Sequence, residues 1–316
     1  MSGPAFVDNA VWATAPNPVS GPVISVLMPF LHDDPIALLG MLETEAPALG
    51  GRVEVVLLDD GTGDPDLTAR LTARIMALAL PCRLITLTAN AGRSKGRNRL
   101  SAAARARHLL FLDSDMRPDS PDFLQQWVAL AASHDPAVAF GGFSLLQAST
   151  ERRFAVHRAM AARSDCVPHH ERAKTPEKYV FTSNLLVRRD VFAGEAFDAE
   201  FTGWGWEDVE WAMRVSRTHA VIHLDNPATH MGLDTADQLA AKYEQSAPNF
   251  ALVVARHPDI VGSYPSFRAA RLLKRLPGLG LIRSGFRRAA VAGWLPTPAR
   301  ALSLRLYRAA LYAGVV

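Results

Sequence analysis

The first third of the chain alternates between continuous apolar runs and stretches with helical spacing. The runs are VISVLMPF (residues 23–30), VEVVLLDD (53–60), CRLITLT (82–88) and HLLFLDSDM (108–116). Between them lie ALLGMLETEAPAL (37–49), LTARLTARIMALAL (67–80) and NAGRSKGRNRLSAAARA (90–106), which fit helices. Strands that are apolar throughout have both faces covered, and strands separated by helices pair in parallel. The pattern predicts an α/β domain with a mostly parallel central sheet flanked by helices. Ligands of such sheets bind beyond the carboxyl ends of the strands. Asp33, Asp34, Asp59, Asp60, Asp113 and Asp115 all fall just after the apolar runs.

The second half is less regular. AVAFGGFSLL (137–146) predicts a strand, and residues 150–178 a charged, partly helical stretch with a loop at Pro168, His169 and His170. YVFTSNLLVRRDVF (179–192) predicts a strand leading to a turn and a helix start. FTGWGWEDVEW (201–211) opens a helix, and AVIHLDNPATHMG (220–232) predicts one short strand. There is no internal repeat and no low-complexity segment.

Composition adds bounds. With 316 residues, 49% of them apolar, the chain supports a sizeable core and global disorder is not expected. Cys82 and Cys166 cannot make a disulfide framework and fit a reducing compartment. Residues 1–22 read as a leader without a basic start and apolar run, so no secretory signal is expected. No apolar run approaches about 18 residues, so no spanning helix is expected. Charge is uneven: ten of the 34 Lys and Arg, and none of the 31 Asp and Glu, follow Asp259. This divides the chain into a leader, an acidic body (23–260, with halves 23–115 and 116–260) and a basic helical tail (261–316). The tail mixes arginines with Leu, Phe and Trp in helices broken by Pro277 and Pro296. Such a segment suits an anionic membrane surface. It could instead fold onto the acidic body; no motif supports a nucleic-acid partner.

Several stretches carry candidate chemistry. Asp113 and Asp115 are two apart, and on extended backbone both would point the same way. A divalent cation, Mg²⁺ or Mn²⁺, would relieve their repulsion and bridge to phosphate; a solvated turn would equally explain them. Asp60 with Gly61 and Gly63 suits contacts to a base or ribose, or an ordinary Asx-capped turn. Arg93, Lys95, Arg97 and Arg99 at a helix start suit phosphate, or form a solvated basic face. In FTGWGWEDVEW, Trp204 and Trp206 offer flat faces and free indole N–H groups to a sugar. Glu207 and Asp208 open a helix whose dipole favours their ionised forms, as a general base requires. Trp211, one turn on, reads as core. His230 is a possible metal ligand; His219 and His223 read as structural.

Taken in order, VISVLMPF, VVLLDDG, NAGRSKGRN, FLDSD, TSNLLVRRDVF, GWGWEDVEW and a downstream His resemble the family 2 glycosyltransferases of the GT-A fold. The GWGWED portion is also similar to the galactosyltransferase-type segment of chondroitin-polymerase-like enzymes. The resemblance covers residues 23–232 and implies inverting transfer from a nucleotide-diphosphate sugar, UDP-linked by default. It implies that Asp60 reads the base beside the loop from Pro29 to Asp33, with Arg97 near the nucleotide. It further implies Asp113 at ribose and metal, Asp115 and His230 on Mn²⁺ or Mg²⁺, and Asn184 near the donor sugar. Asp208 matches the catalytic base and Glu207 the neighbour that holds the acceptor. Lys95-Gly96-Arg97 departs from the more usual alanine before the arginine, adding a charge toward phosphate. The expected acceptor is a glycan or lipid-linked hydroxyl of bacterial surface polysaccharide or glycolipid synthesis. The expected place is the cytoplasmic face of the membrane, with the enzyme peripheral. A sugar nucleotidyltransferase would share sheet and metal but leave GWGWED unexplained. A non-catalytic nucleotide-sugar-binding subunit would not need Asp113, Asp115 and Asp208 together.

Overall fold

The computed structural model describes residues 9–12 and 21–316; most of the expected leader lies outside them. The strands are β1 (Asn9–Trp12), β2 (Ile24–Phe30), β3 (Val53–Asp59), β4 (Cys82–Thr86), β5 (His108–Leu112), β6 (Met116–Pro118), β7 (Val138–Phe140), β8 (Phe143–Ser144), β9 (Asn184–Arg188), β10 (Val221–His223) and β11 (Ala228–His230). Eight form one sheet in the order β1-β4-β3-β2-β5-β9-β7-β10, and three form a small sheet, β6-β11-β8. β4, β3, β2 and β5 run parallel, as the apolar runs predict, whereas β9 is antiparallel to both neighbours.

Local chemistry explains the crossovers. The helix Pro65–Met76 starts with Asp64, whose carboxylate accepts from the Asp66 and Leu67 amides, and with Pro65 in its first turn. Its Leu67, Leu71 and Ile75 recur at helical spacing and are buried on one face of the sheet. The helices Ile36–Glu43 and Phe123–His134 cover that same face. The opposite face packs Leu100 of the helix Arg93–Ala103 with Phe192, Phe197 and Trp211. Trp211 is fully buried and donates to the Glu195 carbonyl, and His223 is held between Arg172 and the Pro176 carbonyl. Both are structural, as expected.

Two expected strands are each split. AVAFGGFSLL bends at Gly141-Gly142, where Gly142 has φ +104° and a Cβ would meet the Arg172 guanidinium at 2.4 Å. AVIHLDNPATHMG breaks at Asn226-Pro227, so β10 extends the main sheet and β11 joins the small one. In each case one segment must leave the main ladder to build the small sheet.

The basic tail forms three helices, Pro265–Leu273, Leu279–Val291 and Thr297–Ala313, with breaks at the two prolines. The last is packed against the body. Leu304, Tyr307 and Tyr312 are buried in a cluster with Phe250 and Val253 of the long helix Ala236–Arg256 and with Met160. The Tyr312 ring stacks on Phe250 at 4.0 Å. Folding onto the body, one of the two sequence alternatives, therefore describes this last helix. Among the described residues no helix is long and apolar enough to cross a membrane.

Candidate active site

Strand order reverses between β2 and β5, which makes their carboxyl ends the place where a crevice opens. β2 pairs with β3 through Phe30 but with β5 only through Leu27. Pro29 lies past the last β5 partner, where its missing N–H costs no ladder bond. Into this crevice project the loops after β2, β3 and β5.

Asp60 is buried, and its two carboxylate oxygens accept from the Ala91 and Gly92 amides at 2.8 and 3.1 Å. It ties the start of the Arg93 helix to the end of β3. Burial pushes its carboxyl above the usual range against those two amides. Asp33 lies at the surface on the loop after β2, where partial desolvation and then the charges of Asp115 and Asp113 raise its carboxyl. Lys95 is exposed on the outer side of the helix start.

Asp113 and Asp115 are not on extended backbone as the sequence predicts. β5 stops at Leu112, and Asp113 O accepts from Met116 N in a turn at 3.1 Å. Both oxygens of Asp113 are engaged, one by Arg97 Nη2 at 2.5 Å and one by Ser183 Oγ at 3.0 Å. Arg97 is itself buried, so it supports Asp113 from behind and does not reach out toward a nucleotide. Arg97→Met strands Asp113 without its cation, and losing one partner of a buried pair costs about 3–5 kcal/mol. Denaturant unfolding of that variant should show a loss of this size.

Asp115 meets His230 instead, Oδ2 to Nε2 at 3.0 Å. The small sheet arranges this. β6 begins one residue after Asp115, and antiparallel β11 places His230 opposite Met116. Met231 N donates to Asp115 O at 2.9 Å. Gly232 follows, and a Cβ there would lie 2.1 Å from Asp115 Oδ2. Burial opposes the charge on each partner, but their attraction overrides it: Asp115 is held below, and His230 above, its ordinary range. One carboxylate and one imidazole fit a Mn²⁺ or Mg²⁺ ion that takes its other ligands from phosphate and water. Among the described residues no three His, Cys, Asp or Glu side chains cluster as a complete metal site.

Asn184 does not face the crevice. It is fully buried, and its amide donates to the Gly142 and Asn226 carbonyls, bracing the bend before β8. Its neighbour Ser183 is the residue that reaches the site.

The GWGWED loop forms the other wall. Gly203, Gly205 and Trp206 all have positive φ, +70°, +90° and +78°. Only glycine adopts the first two without strain, which is why the tryptophans are spaced this way. Asn249 Nδ2 donates to the Thr202 and Gly205 carbonyls at 2.9 and 2.8 Å and fixes the loop to the long helix. Trp206 does not keep a free indole N–H: it donates to Tyr312 Oη at 2.9 Å and packs on Phe250. Trp204 is half-buried beside Tyr243, with Lys242 Nζ 6.0 Å from its ring centre. Tyr312→Phe leaves the Trp206 N–H unpaired, a cost of about 1–3 kcal/mol. Because Trp206 immediately precedes the Glu207 helix, we expect a lower melting temperature and a reduced kcat with nucleotide affinity unchanged.

Glu207 is buried, with Oε1 accepting from Arg93 Nε at 2.7 Å and Oε2 lacking a protein partner. Asp208 is half-buried and accepts from its neighbouring Val209 amide. The helix start does not decide its ionisation as the sequence suggests. Burial and the Glu207 charge outweigh Arg93, Arg97 and the amide, and push the Asp208 carboxyl up to about 7. Arg93, one of four basic candidates in the sequence, is thus the residue that links the crevice loop to the GWGWED wall. Tyr312 and Asn249 lie in no recognisable motif, whereas Ser183 lies in TSNLLVRRDVF, where the resemblance points instead to its neighbour Asn184.

Residues 25–194 match the model of the family described as Glycosyl transferase family 2. No curated protein matches the chain in sequence. Among solved structures it is similar to a mannosyltransferase from Pyrobaculum calidifontis in complex with GDP-Man and Mn²⁺. That likeness has a TM-score of 0.57 and 16% identity, covering 96% of this chain and 90% of that one. It is also similar to TarS 1–349 from S. aureus in complex with UDP (TM-score 0.51, 15% identity, 92% and 89% covered). A third is glucosyl-3-phosphoglycerate synthase from Mycobacterium tuberculosis in complex with Mn²⁺, UDP and glucosyl-3-phosphoglycerate (0.51, 19%, 75% and 80%). These structural likenesses show the shared fold, of GT-A type. The family match stops short of GWGWED and His230 but includes Asp60, Asp113 and Asp115. It spans more than half of the sequence, and the chain therefore belongs to glycosyl transferase family 2 and is a glycosyltransferase.

Proposed function

We propose that the enzyme moves a sugar, with inversion, from a nucleoside-diphosphate sugar to a hydroxyl of a glycan or lipid-linked acceptor. The observation that carries this is the pairing of two walls across one crevice. Asp115 and His230 form a cation-ready pair at the switch point, and Asp208 stands in the first turn of the helix that follows the facing loop, with a carboxyl raised to about 7. A base of that strength suits proton removal near neutral pH.

In this reading the donor's diphosphate lies between the Asp115–His230 pair and the helix start at Arg93. Asp113, locked by Arg97 and Ser183, faces the ribose. Asp60 fixes the floor under the base. A Mn²⁺ or Mg²⁺ ion held by Asp115 and His230 would offset the charge of the departing diphosphate. Glu207 Oε2, buried and unpartnered, accepts from an acceptor hydroxyl, and Trp204 supports the sugar face. Asp208 takes the proton as the acceptor oxygen bonds to the anomeric carbon. The bond from that carbon to the diphosphate oxygen breaks, and its electron pair leaves with the nucleotide. One displacement from the opposite face inverts the centre, by the two-sided logic of inverting glycosidases.

UDP is the default nucleotide. Since one structural neighbour is complexed with GDP-Man and others with UDP, both classes belong in the test. The enzyme with Mn²⁺ should release nucleoside diphosphate from at least one UDP- or GDP-sugar when offered a panel of glycosides and polyprenyl-linked sugars. No release from any donor, with or without metal, would sink the proposal. Such acceptors place the enzyme at the cytoplasmic face of a membrane, in surface polysaccharide or glycolipid synthesis.

A further inference from the structure

The basic tail divides into two unlike parts. Its last helix is buried against the body. The two helices before it meet at a Pro277-Gly278 turn, and the chain from Arg271 to Arg288 is mostly exposed. Three leucines crowd that turn: Leu272 is 66%, Leu276 44% and Leu281 83% exposed. Single exposed apolar residues are unremarkable, but three within ten positions about one turn form a patch.

The charges around the turn are equally uneven. Arg268, Arg271, Lys274, Arg275, Arg283 and Arg288 are exposed. Among the described residues, only Arg287 of the tail's ten cations forms an ion pair with an Asp or Glu side chain, 3.7 Å from both Asp237 and Glu244, while Lys274 Nζ donates to the Val316 main-chain oxygen. A shallow cleft of about 280 Å³ opens on the same turn, lined by Arg271, Lys274 and Arg275 together with Val254, Phe267 and Val316. Cations bordering an apolar floor, beside protruding leucines, match a lipid phosphate with its acyl region.

We infer that the 271–283 turn is a membrane-docking tip, whose leucines enter the headgroup layer while Arg271, Lys274 and Arg275 bind anionic lipid phosphates. The occupant is an anionic bilayer because charge and apolar exposure coincide at the turn. A polyanion such as RNA would need the cations but not the leucines. The tip carries no residue of the transfer site, so this inference stands or falls apart from the transfer reaction.

The test is flotation of the full chain with vesicles of phosphatidylcholine alone or mixed with phosphatidylglycerol, without donor or metal. Binding should require phosphatidylglycerol and fall as salt is raised. Each surface cation contributes roughly fivefold, so changing Arg271, Lys274 and Arg275 together to Gln should weaken binding on the order of a hundredfold. Leu281→Ser, at a position 83% exposed, should weaken it with the charge unchanged. Equal flotation with both vesicle types, no flotation at all, or full binding by the leucine variant overturns the inference. Inhibition by RNA that the leucine change leaves untouched would likewise overturn it and assign the cations to nucleic acid.

Discussion

Asp208→Asn should lose transfer by a factor of about 10²–10⁴, the range of general-base contributions, while its nucleotide-dependent thermal shift is retained. The pH dependence makes this more than a loss-of-function test. In the native enzyme kcat/KM should climb as pH rises through about 7, because burial and Glu207 hold the Asp208 proton to that point. The residual activity of the variant should lack that limb. Stability carries the same signature with the opposite consequence. A carboxyl raised in the folded state contributes stability that is fully present below its unfolded value of about 4. That contribution is lost as pH rises through about 7. Without ligands, Asp208→Asn should therefore melt above the native protein at pH 8 and level with it at pH 4. A variant that keeps the neutral activity limb removes Asp208 from the role of base.

The parts of the molecule legible in the sequence are those governed by local pattern. β2, β3, β4 and β5 are apolar because helices cover both faces, so their existence, order and parallel pairing follow from periodicity alone. The loops after them hold acids for the same topological reason. What escaped depends on contacts between distant segments. Asn184 follows the same Ser-Asn pattern as a ligand-facing residue would, but only the bend at Gly141-Gly142 shows that its amide is consumed by backbone carbonyls. Trp206 has the composition of a sugar platform, yet Tyr312, 106 positions away, takes its N–H. The ionisation of Asp208 departs from its helix position for a similar reason. Helix position is visible in sequence, whereas burial beside a second carboxylate is not. The tail shows the same limit, since a similar mix of basic and apolar residues yields one buried helix and one exposed turn.

Asp115→Asn should abolish the extra stabilisation that Mn²⁺ adds to a nucleoside diphosphate. A ligand held a hundredfold above its Kd stabilises by about 2.7 kcal/mol, which in a chain of this size raises the melting temperature by several degrees. UDP or GDP alone should give a smaller shift, because base and ribose contacts remain while the diphosphate charge is not offset. The amide variant keeps the shape of Asp115 and removes its charge, so the fold should survive. Gly232→Ala supplies an independent arm. It keeps every proposed ligand residue, but its Cβ would sit 2.1 Å from Asp115 Oδ2 and must displace that oxygen. The metal-dependent part of the shift should then disappear as it does in Asp115→Asn, with the nucleotide-only part preserved. His230→Asn should weaken the metal response without erasing it, since a carboxylate and the diphosphate still bind a hard cation. Were Gly232→Ala to respond to Mn²⁺ like the native enzyme, the cation would have to bind away from the Asp115–His230 pair. The crevice would then hold the diphosphate through Arg93 and the helix start alone.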